Sequence, residues 1–494
     1  MIAGWLRPAV AALNRRYAPP LAPRARRWLL LLALVVFATR YGGKIYPDAM
    51  PGDIGFHVNR YADVVRGTVL LLSRNRGVDF PYPPALYLLL APLSLLGLDR
   101  RVQLQLGAAV LDALSVFLVY TLAAGALSCM KRPAAHLEVP PEGDPIPARS
   151  YALPLLAAGI YGLSPAGFMT TWWNFSTHIF AQFTHLLLIT ALVLLWRPAA
   201  DARRATHASE QGAAEAGARE DESQAISGTA AASGLPSLAS CRWPPGLRRG
   251  WWSLVGGLIV LQALVYLGHF GFWINMSLLG AIGLVVALAG LRHPAGRRVC
   301  YLLLIGFAVA ELLAVLLFYS SYTGLFLAQA RAAATGGLTG LAGRAPVDRA
   351  ILWATLWDAG FRAHFGFFPL PLALCGLFLL HQRIEHQGLA PAPGRRGSPG
   401  SPLAALVVLM AATFAVGLLF AILPFLSGST LTTRWLMFSA WAIAVGAAVS
   451  ARLLWRTGSA GRLLVLAAGG YVLWVTASMW LEALAWRVRP PEPF

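Results

Sequence analysis

Apolar stretches of about twenty residues recur from one end of this chain to the other, and each can cross a hydrocarbon core of about 30 Å as a helix. Hydrophobic residues make up 57% of the 494 positions and charged residues only 12%, which is more apolar surface than one soluble core can bury. The sequence therefore predicts an all-α polytopic membrane protein. We predict about eleven spans, at residues 28–47, 102–127, 151–171, 177–196, 251–268, 271–291, 299–319, 366–380, 403–423, 434–454 and 462–484.

The formal charge of +19 fits membrane topology better than nucleic-acid binding, because the arginines sit in short loops between apolar stretches. Residues 1–27 are basic and lack a clear cleavage site, so we expect an uncleaved signal anchor with a cytoplasmic N-terminus. The positive-inside rule then places most arginines in the cytoplasm, while Arg40 and Lys44 can snorkel outward. This pattern predicts a multi-pass protein of the cytoplasmic membrane with no nucleic-acid partner.

The first extracytoplasmic loop, residues 48–101, is not simply polar. Residues 57–76 place Val58, Tyr61, Ala62, Val65, Val69 and Leu72 on one helical stripe, with His57 and Arg60 off it, which is typical of an amphipathic helix on a membrane surface. After the turn-rich string GVDFPYPP, residues 84–97 are apolar all round but too short to span comfortably. We therefore predict two interfacial helices. A span at 84–97 would reverse the topology of the rest of the chain and place the later arginines on the extracytoplasmic side, against the positive-inside rule.

The domain organisation follows from composition. Residues 28–196 form an N-terminal membrane module that carries the loop 48–101, and residues 251–494 form a C-terminal transmembrane module. Between them, residues 197–250 are rich in Ala, Glu, Ser and Gly without an apolar period, which predicts a disordered cytoplasmic insertion. The four cysteines have no CxxC spacing, so neither a disulfide framework nor a zinc site is indicated.

The string YPDAMPGDIGFHVNRYADVVRG, residues 46–67, is the most informative for chemistry. It places Asp48 and Asp53 at the membrane surface beside His57 and Arg60. If a helix begins near Ile54, then Asp53, His57 and Arg60 project from one side at i, i+4 and i+7, towards a cavity.

These residues resemble the C-type membrane glycosyltransferase superfamily, which includes protein mannosyltransferases, aminoarabinose transferases and oligosaccharyltransferases. GDIGFH is similar to the Asp-x-x-Phe-His form of its bacterial and archaeal branches. FPYPPALYLLLAPL, residues 80–93, resembles the Tyr-Pro-Pro-Leu string that opens the second interfacial helix, with Ala85 and Leu86 in place of the single Leu. The resemblance covers roughly residues 28–200 and is only topological beyond them.

The resemblance implies a transferase that uses a polyprenyl-phosphate sugar as donor and a lipid, glycan or protein as acceptor. One carboxylate that takes the acceptor's proton can suffice, because the leaving group is already a phosphate. We therefore expect Asp53 to be the general base, with Asp48 and His57 in support. Cations near the outer surface are expected to bind the donor phosphate, namely Arg434, Arg60, Lys44 and Arg362. Substrate-binding candidates are Tyr82, His269, Trp273, Trp172, His178 and His364.

No tightly bound metal and no other cofactor are expected. The second outer loop has TTWWNFSTH, residues 170–178, where metal-dependent relatives have acidic residues, although Asp48, Asp53 and His57 could still hold a divalent cation. Glu311 within the seventh span is a further candidate without an assigned role, since an acidic residue at membrane depth is costly.

Other interpretations fit the same residues. Asp53 after Gly52 could be the N-cap of a helix, His57 a surface histidine, and the cations anchors to lipid phosphates. A transporter or flippase of lipid-linked saccharides would use interfacial arginines and Glu311, and broken helices would favour it. An O-antigen ligase or polymerase would rely instead on Arg and His in a late loop, here residues 320–365.

Overall fold

A computed structural model of the chain describes residues 23–42, 54–72, 74–75, 78–127, 151–167, 176–193, 245–289, 294–342, 347–386, 402–427 and 437–485. In the first half of the chain the helices are α1 (Pro23–Gly42), α2 (Ile54–Val65), α3 (Ala85–Leu90), α4 (Arg100–Leu127), α5 (Ala152–Leu163) and α6 (Ser176–Val193). A short 3₁₀ helix, Ala91–Leu96, continues α3. Strands β1 (Arg74–Asn75) and β2 (Val78–Asp79) form one antiparallel pair.

The second half of the described chain contains ten more α-helices, one 3₁₀ turn and one π-helical turn. They are α7 (Pro245–Tyr266), α8 (Phe270–Ala289), α9 (Pro294–Leu317), a 3₁₀ turn (Tyr319–Tyr322), α10 (Thr323–Ala342), α11 (Arg349–Thr355), α12 (Ala363–Phe365), α13 (Pro369–His386), α14 (Pro402–Ser427), α15 (Ala440–Arg456) and α16 (Ser459–Ala485), and a π-helical turn (Leu356–Arg362) joins α11 to α12. Apart from the β1–β2 pair, the described chain is helical, as predicted.

Proline marks the first residue of several helices. Pro23, Pro245, Pro294, Pro369 and Pro402 each begin a helix. Proline suits this position because it has no N–H to leave unsatisfied and its φ is already helical. Helix α7 begins at Pro245, within the last six residues of the predicted insertion 197–250; residues 197–244 lie outside the described chain.

Five helices within the described residues are long and apolar enough to cross a membrane: Arg100–Ala124, Ser176–Val193, Leu403–Leu426, Met437–Arg456 and Ser459–Leu481. Leu303–Leu317 and Tyr319–Ala332 would add a sixth as one broken span, bent by 62°. The predicted count of about eleven is thus not confirmed. Several other predicted spans correspond to shorter apolar helices, Ala152–Leu163, Val255–Tyr266 and Phe270–Val285, and α1 carries four arginines.

Helix α15 lies at the centre of the packing. Every residue from Ala440 to Ala451 is buried, and the helix packs against α5, α13 and α16. Its small residues let neighbouring backbones approach closely, as small residues do between membrane helices. At Gly376 of α13, an added Cβ would lie only 1.9 Å from the carbonyl oxygen of Gly446, so this crossing requires glycine.

The first-loop helices differ from their predicted bounds. Helix α2 begins at Ile54, as the hypothesis for Asp53 required, but ends at Val65 rather than near residue 76. Gly67 follows with a φ of 86°, a left-handed conformation that glycine adopts without strain and that terminates the helix. The apolar stripe therefore stops at Val65, and Val69 and Leu72 are exposed. The helix predicted at 84–97 is present as α3 and its 3₁₀ continuation.

Candidate functional site

Helices α2 and α3 pack on each other and on α4, which fixes the position of His57. Its Nδ1 lies 2.6 Å from the hydroxyl oxygen of Tyr87, and both side chains are buried. Tyr61, one turn further, hydrogen-bonds through its hydroxyl to the carbonyl oxygen of Leu90 at 2.7 Å and to Oε1 of Gln103 at 2.5 Å. Burial raises the pKa of Tyr61 above its ordinary value of 10.0, against a smaller opposing effect of Arg100.

This geometry corrects one prediction. His57 was expected off the apolar stripe of α2, but it lies on the buried face of the helix with Ile54, Tyr61 and Ala62. The residue is tolerated there because Tyr87 supplies a hydrogen-bond partner, without which a buried imidazole would be costly. His57 is therefore neither a surface histidine nor an open ligand, but a side chain held in one orientation.

Aromatic rings continue from α2 across the loop before α3. Phe56 lies 4.2 Å from Tyr82, Tyr82 lies 5.1 Å from Phe80, and Phe80 lies 5.6 Å from Phe270 at the start of α8, all between ring centroids. We call Phe56, Tyr82, Phe80 and Phe270 the aromatic row. The guanidinium carbon of Arg60 lies 5.0 Å from the centre of the Phe56 ring. Two predicted site residues, Arg60 and Tyr82, therefore both contact Phe56 at one end of this row.

Two hydrogen bonds dock this loop on the second half of the chain. The backbone N–H of Ala85 donates to the carbonyl oxygen of Leu267 at 3.0 Å, and the Tyr322 hydroxyl donates to the carbonyl oxygen of Phe80 at 3.2 Å. The loop therefore lies against the α7–α8 turn and the Tyr319–Tyr322 turn. We call this side of the molecule the loop end.

Two predicted histidines meet at the loop end. His178 of α6 and His269 in the α7–α8 turn have ring centroids 5.0 Å apart, and Phe272 packs edge-on against His178 at 4.9 Å. Nδ1 of His269 accepts a hydrogen bond from the backbone N–H of Gly271 at 3.1 Å. Phe180, two residues after His178, packs with Tyr87 and Leu90 in the same cluster as α2 and α3. His178 and His269 thus adjoin the first-loop helices.

Trp273 has a different environment from the one predicted. Its indole stacks on Tyr319 with centroids 3.9 Å apart, and its Nε1–H donates to Glu311 at 2.7 Å. Glu311 also accepts a hydrogen bond from Ser277 at 3.0 Å. Trp273 was expected to stack on a sugar ring, whereas one face already covers Tyr319. Glu311 lies six residues before the end of α9, nearer than the ten expected, and so close to the loop end.

Arg362 and His364 lie away from the groups above. Arg362 ends the π-helical turn and forms an exposed ion pair with Asp358, one helical turn earlier. His364 is buried in α12. Just beyond it, Phe367 has a φ of 60°, a strained conformation for a non-glycine residue that costs on the order of 1–2 kcal/mol.

The remaining predicted site residues lie outside the described chain. They are Asp48, Asp53, Lys44, Trp172 and Arg434. Of the three residues of the possible cation site, Asp48, Asp53 and His57, the structure therefore describes only His57. Among the described residues, no group of three or more His, Cys, Asp or Glu side chains is arranged to hold a metal ion.

Sequence reasoning missed a buried ion pair. Nε of Arg40 donates to Oδ2 of Asp112 at 2.7 Å, and Nη2 of Arg40 donates to the carbonyl oxygen of Gly162 at 2.7 Å. Arg40 does not snorkel outward as predicted, because Asp112 of α4 neutralises it inside the bundle. The signal was present in the sequence, since Asp112 is the one acidic residue of Arg100–Leu127 and such residues are expensive at membrane depth.

A second buried polar group was also missed. His185 of α6 lies against Phe438 with ring centroids 4.4 Å apart, and its Nδ1 is 2.9 Å from the sulfur of Met276. Nε2 of His185 and Oδ1 of Asn275 have no hydrogen-bond partner within the structure. Both side chains lie between membrane helices, where such atoms usually bind water or a ligand.

Comparison with known proteins identifies no relative. No protein-family model matches the chain, and no curated protein matches it.

Proposed function

We propose that this protein is a multi-pass glycosyltransferase of the cytoplasmic membrane, with about eleven spans and its first-loop helices at the extracytoplasmic interface. It transfers a sugar from a polyprenyl-phosphate-linked donor to a lipid, glycan or protein acceptor on the extracytoplasmic side. The reaction needs no cofactor, and the membrane lipids are its other partners.

In this mechanism an acceptor hydroxyl oxygen attacks the anomeric carbon as the bond from that carbon to the donor phosphate oxygen breaks. The hydroxyl proton passes to the carboxylate of Asp53, and polyprenyl phosphate leaves with the bonding electron pair. Asp48 and His57 support Asp53. The negative charge on the leaving phosphate is stabilised by four cationic side chains, those of Arg434, Arg60, Lys44 and Arg362.

The observation that carries the proposal is the fixed position of α2. Asp53 immediately precedes Ile54, the first residue of α2, and this helix is held by the His57–Tyr87 and Tyr61–Gln103 hydrogen bonds. A general base must be held in place to act efficiently, and a packed helix start does this better than a free loop.

The surroundings of α2 fit a sugar and a phosphate. The aromatic row offers ring faces of the kind that pack on sugar rings, and Arg60 at its end brings a cation beside them. His178 and His269 add hydrogen-bonding groups at the same end of the bundle. A donor with a sugar next to a phosphate matches this order of groups.

The test is transfer of radiolabelled sugar from membrane lipid extracts, in vesicles that carry equal amounts of wild type, Asp53→Asn or Asp63→Asn. Asp63 lies on the same helix and forms only an exposed ion pair with Arg66 at 3.7 Å, so its variant is the matched control. We expect Asp53→Asn to lose labelled product and Asp63→Asn to keep it. Full activity in Asp53→Asn would remove this carboxylate as the base.

One observation favours a second function, a transporter or flippase of lipid-linked saccharides. Helices α9 and α10 meet at a bend of 62°, and broken helices are typical of transporters. The two functions differ in a direct measurement: a flippase moves labelled lipid-linked sugar between vesicle leaflets without making a new glycosidic bond. Movement without product, unaffected by Asp53→Asn, would establish the transporter.

The ligase or polymerase alternative gains less from the structure. Residues 320–365 are largely helical in the described chain, as α10, α11, the π-helical turn and α12. Arg362 of this segment already pairs with Asp358, and His364 is buried.

A further inference from the structure

Glu311 of α9 is a carboxyl group within Leu303–Leu317, one arm of the candidate broken span, and its hydrogen-bond partners in the described chain are neutral. It accepts hydrogen bonds from the indole N–H of Trp273 at 2.7 Å and from the hydroxyl of Ser277 at 3.0 Å. In the part of the chain that the structure describes, no Lys, Arg or His forms an ion pair with it. This contrasts with Asp112, which Arg40 neutralises. A carboxylate inside a membrane is costly without a cation, and none of the described residues supplies one to Glu311.

The neighbouring polar groups do not supply that partner. On α7 the side-chain N–H of Gln262 donates to the hydroxyl of Tyr266 at 2.6 Å. In the turn after α9, the Tyr319 hydroxyl donates to the carbonyl oxygen of Tyr266 at 2.8 Å. A carboxylate has about four lone-pair sites, and the hydrogen bonds from Trp273 and Ser277 fill two of them. Acceptor capacity on Glu311 thus remains for a ligand.

Aromatic rings line the bend beside the carboxyl group. Trp273 stacks on Tyr319, and Phe270 stacks on Phe326 of α10 with centroids 6.1 Å apart. Tyr319 and Phe326 belong to the arm beyond the 62° bend, so this arm and α8 contribute to one wall. Ring faces attract ammonium groups and add to the pull of a carboxylate.

The group is reached from the lipid side. Glu311 is only half-buried, and the next residue of α9, Leu312, is 56% exposed, as are Leu316 and Leu317 to a similar extent. These leucines belong to the apolar surface that α9 shows to hydrocarbon. A ligand that approaches across them must itself be lipid-soluble.

We propose that Glu311, Trp273, Ser277 and the rings around them bind a protonated amine carried by a membrane lipid. The ammonium donates to the carboxylate, and its acyl chains lie along the exposed leucines of α9. This site shares Phe270 with the aromatic row, but the binding of the amine does not depend on the sugar-transfer chemistry proposed above.

The test measures binding of two lipids to the purified protein in detergent micelles by native mass spectrometry. Phosphatidylethanolamine carries the amine, and N-acetyl phosphatidylethanolamine has the same phosphate and chains without the positive charge. One charge-assisted hydrogen bond contributes about 1.5–3 kcal/mol, so wild type is expected to bind the amine lipid about ten- to hundredfold more tightly. Equal affinities would overturn the proposal.

Two variants assign the preference to this carboxyl group. Glu311→Gln keeps the shape and the carbonyl acceptor but removes the charge, and it is expected to bind both lipids equally. Glu385→Gln is the matched control, because it makes the same change in net charge at an exposed residue paired with His381 at 3.2 Å. A preference retained in Glu311→Gln, or lost in Glu385→Gln, contradicts the assignment.

Two further measurements keep the proposal testable if Glu311→Gln does not fold. Trp273→Phe removes the N–H that orients the carboxylate while keeping an aromatic ring, and it is expected to reduce the preference several-fold; an unchanged preference would count against the site. Ethylammonium chloride, an amine without acyl chains, is expected not to displace phosphatidylethanolamine at equal concentration. Full displacement would show that the lipid chains contribute nothing and would overturn the lipid-borne ligand.

Discussion

Arg40 and Asp112, which are 72 positions apart in sequence, form a buried ion pair with 2.7 Å between Nε and Oδ2. The guanidinium also donates to the carbonyl oxygen of Gly162. One side chain therefore links α1, α4 and α5. Because the pair is isolated from water, each charge depends on the other. Removal of one partner should therefore cause a large loss of stability.

Asp112→Ala is expected to lower the free energy of unfolding by about 3–5 kcal/mol, because it leaves the Arg40 charge buried without a counter-charge. The measurement is denaturant unfolding in detergent micelles. Asp63→Ala is the control, since its ion pair with Arg66 is exposed and worth less than about 1 kcal/mol. Similar losses in the two variants would show that the Arg40–Asp112 pair is not isolated as described.

Tyr61→Phe is expected to destabilise the protein by about 1–3 kcal/mol near neutral pH, because it leaves the buried Gln103 oxygen without its donor. The effect should depend on pH. Burial raises the pKa of Tyr61 in the folded state above 10.0, so its contribution is complete below pH 10 and is lost as the pH rises towards the folded-state pKa.

The measurement for Tyr61 is the free energy of unfolding from about pH 9 to pH 11, a range that brackets tyrosine titration. The difference between wild type and Tyr61→Phe should shrink as the pH rises. Tyr41→Phe, at the end of α1, serves as a reference for alkaline effects elsewhere. A difference that grows with pH would have the wrong sign for a raised pKa.

Gly376→Ala is expected to cost about 3 kcal/mol or more, because the new methyl group would overlap the Gly446 backbone and push α13 from α15. Gly469→Ala in α16 is the matched control, since nothing lies within 4 Å of a Cβ there. Alanine also favours helix more than glycine, so the control should be neutral or slightly stabilising. Unfolding in micelles compares the two, and equal stability would mean that α13 and α15 are not in contact at Gly376.

Tyr87→Phe is expected to lower kcat for sugar transfer about ten- to hundredfold with little change in KM, since it frees the His57 ring without emptying the core. This prediction rests on the proposed transferase activity. Tyr120→Phe, a buried tyrosine packed between α1, α4 and α5, is the control. If KM rises while kcat stays constant, His57 acts in substrate binding and not in support of the base.

The local part of the fold could be predicted from the sequence. The start of α2 at Ile54 and the short apolar helix after the Pro-rich string follow from patterns within a few residues. The end of α2 was harder to predict, because the apolar pattern in the sequence continues past Gly67 to Val69 and Leu72. The helix ends because Gly67 adopts a left-handed φ.

The site was less predictable, because it depends on contacts between distant segments. Nothing near Arg40 in sequence indicates Asp112, and nothing near Trp273 indicates that its N–H is taken by Glu311. His57 was predicted off the apolar stripe of α2, whereas it is buried there beside Tyr87, thirty positions later, which hydrogen-bonds to it. Such pairings follow from tertiary packing and override local pattern.

The hydrogen bond between Phe80 and Tyr322 also sets an order of events during synthesis. Its two residues are separated by 242 positions, so the loop before α3 is made long before its docking surface exists. At about 5–20 residues per second, the delay is on the order of ten to fifty seconds. For most of that interval Phe80 has no α8 to cover it, and the nascent protein must keep this surface from premature contacts until α8 and then Tyr322 have been made.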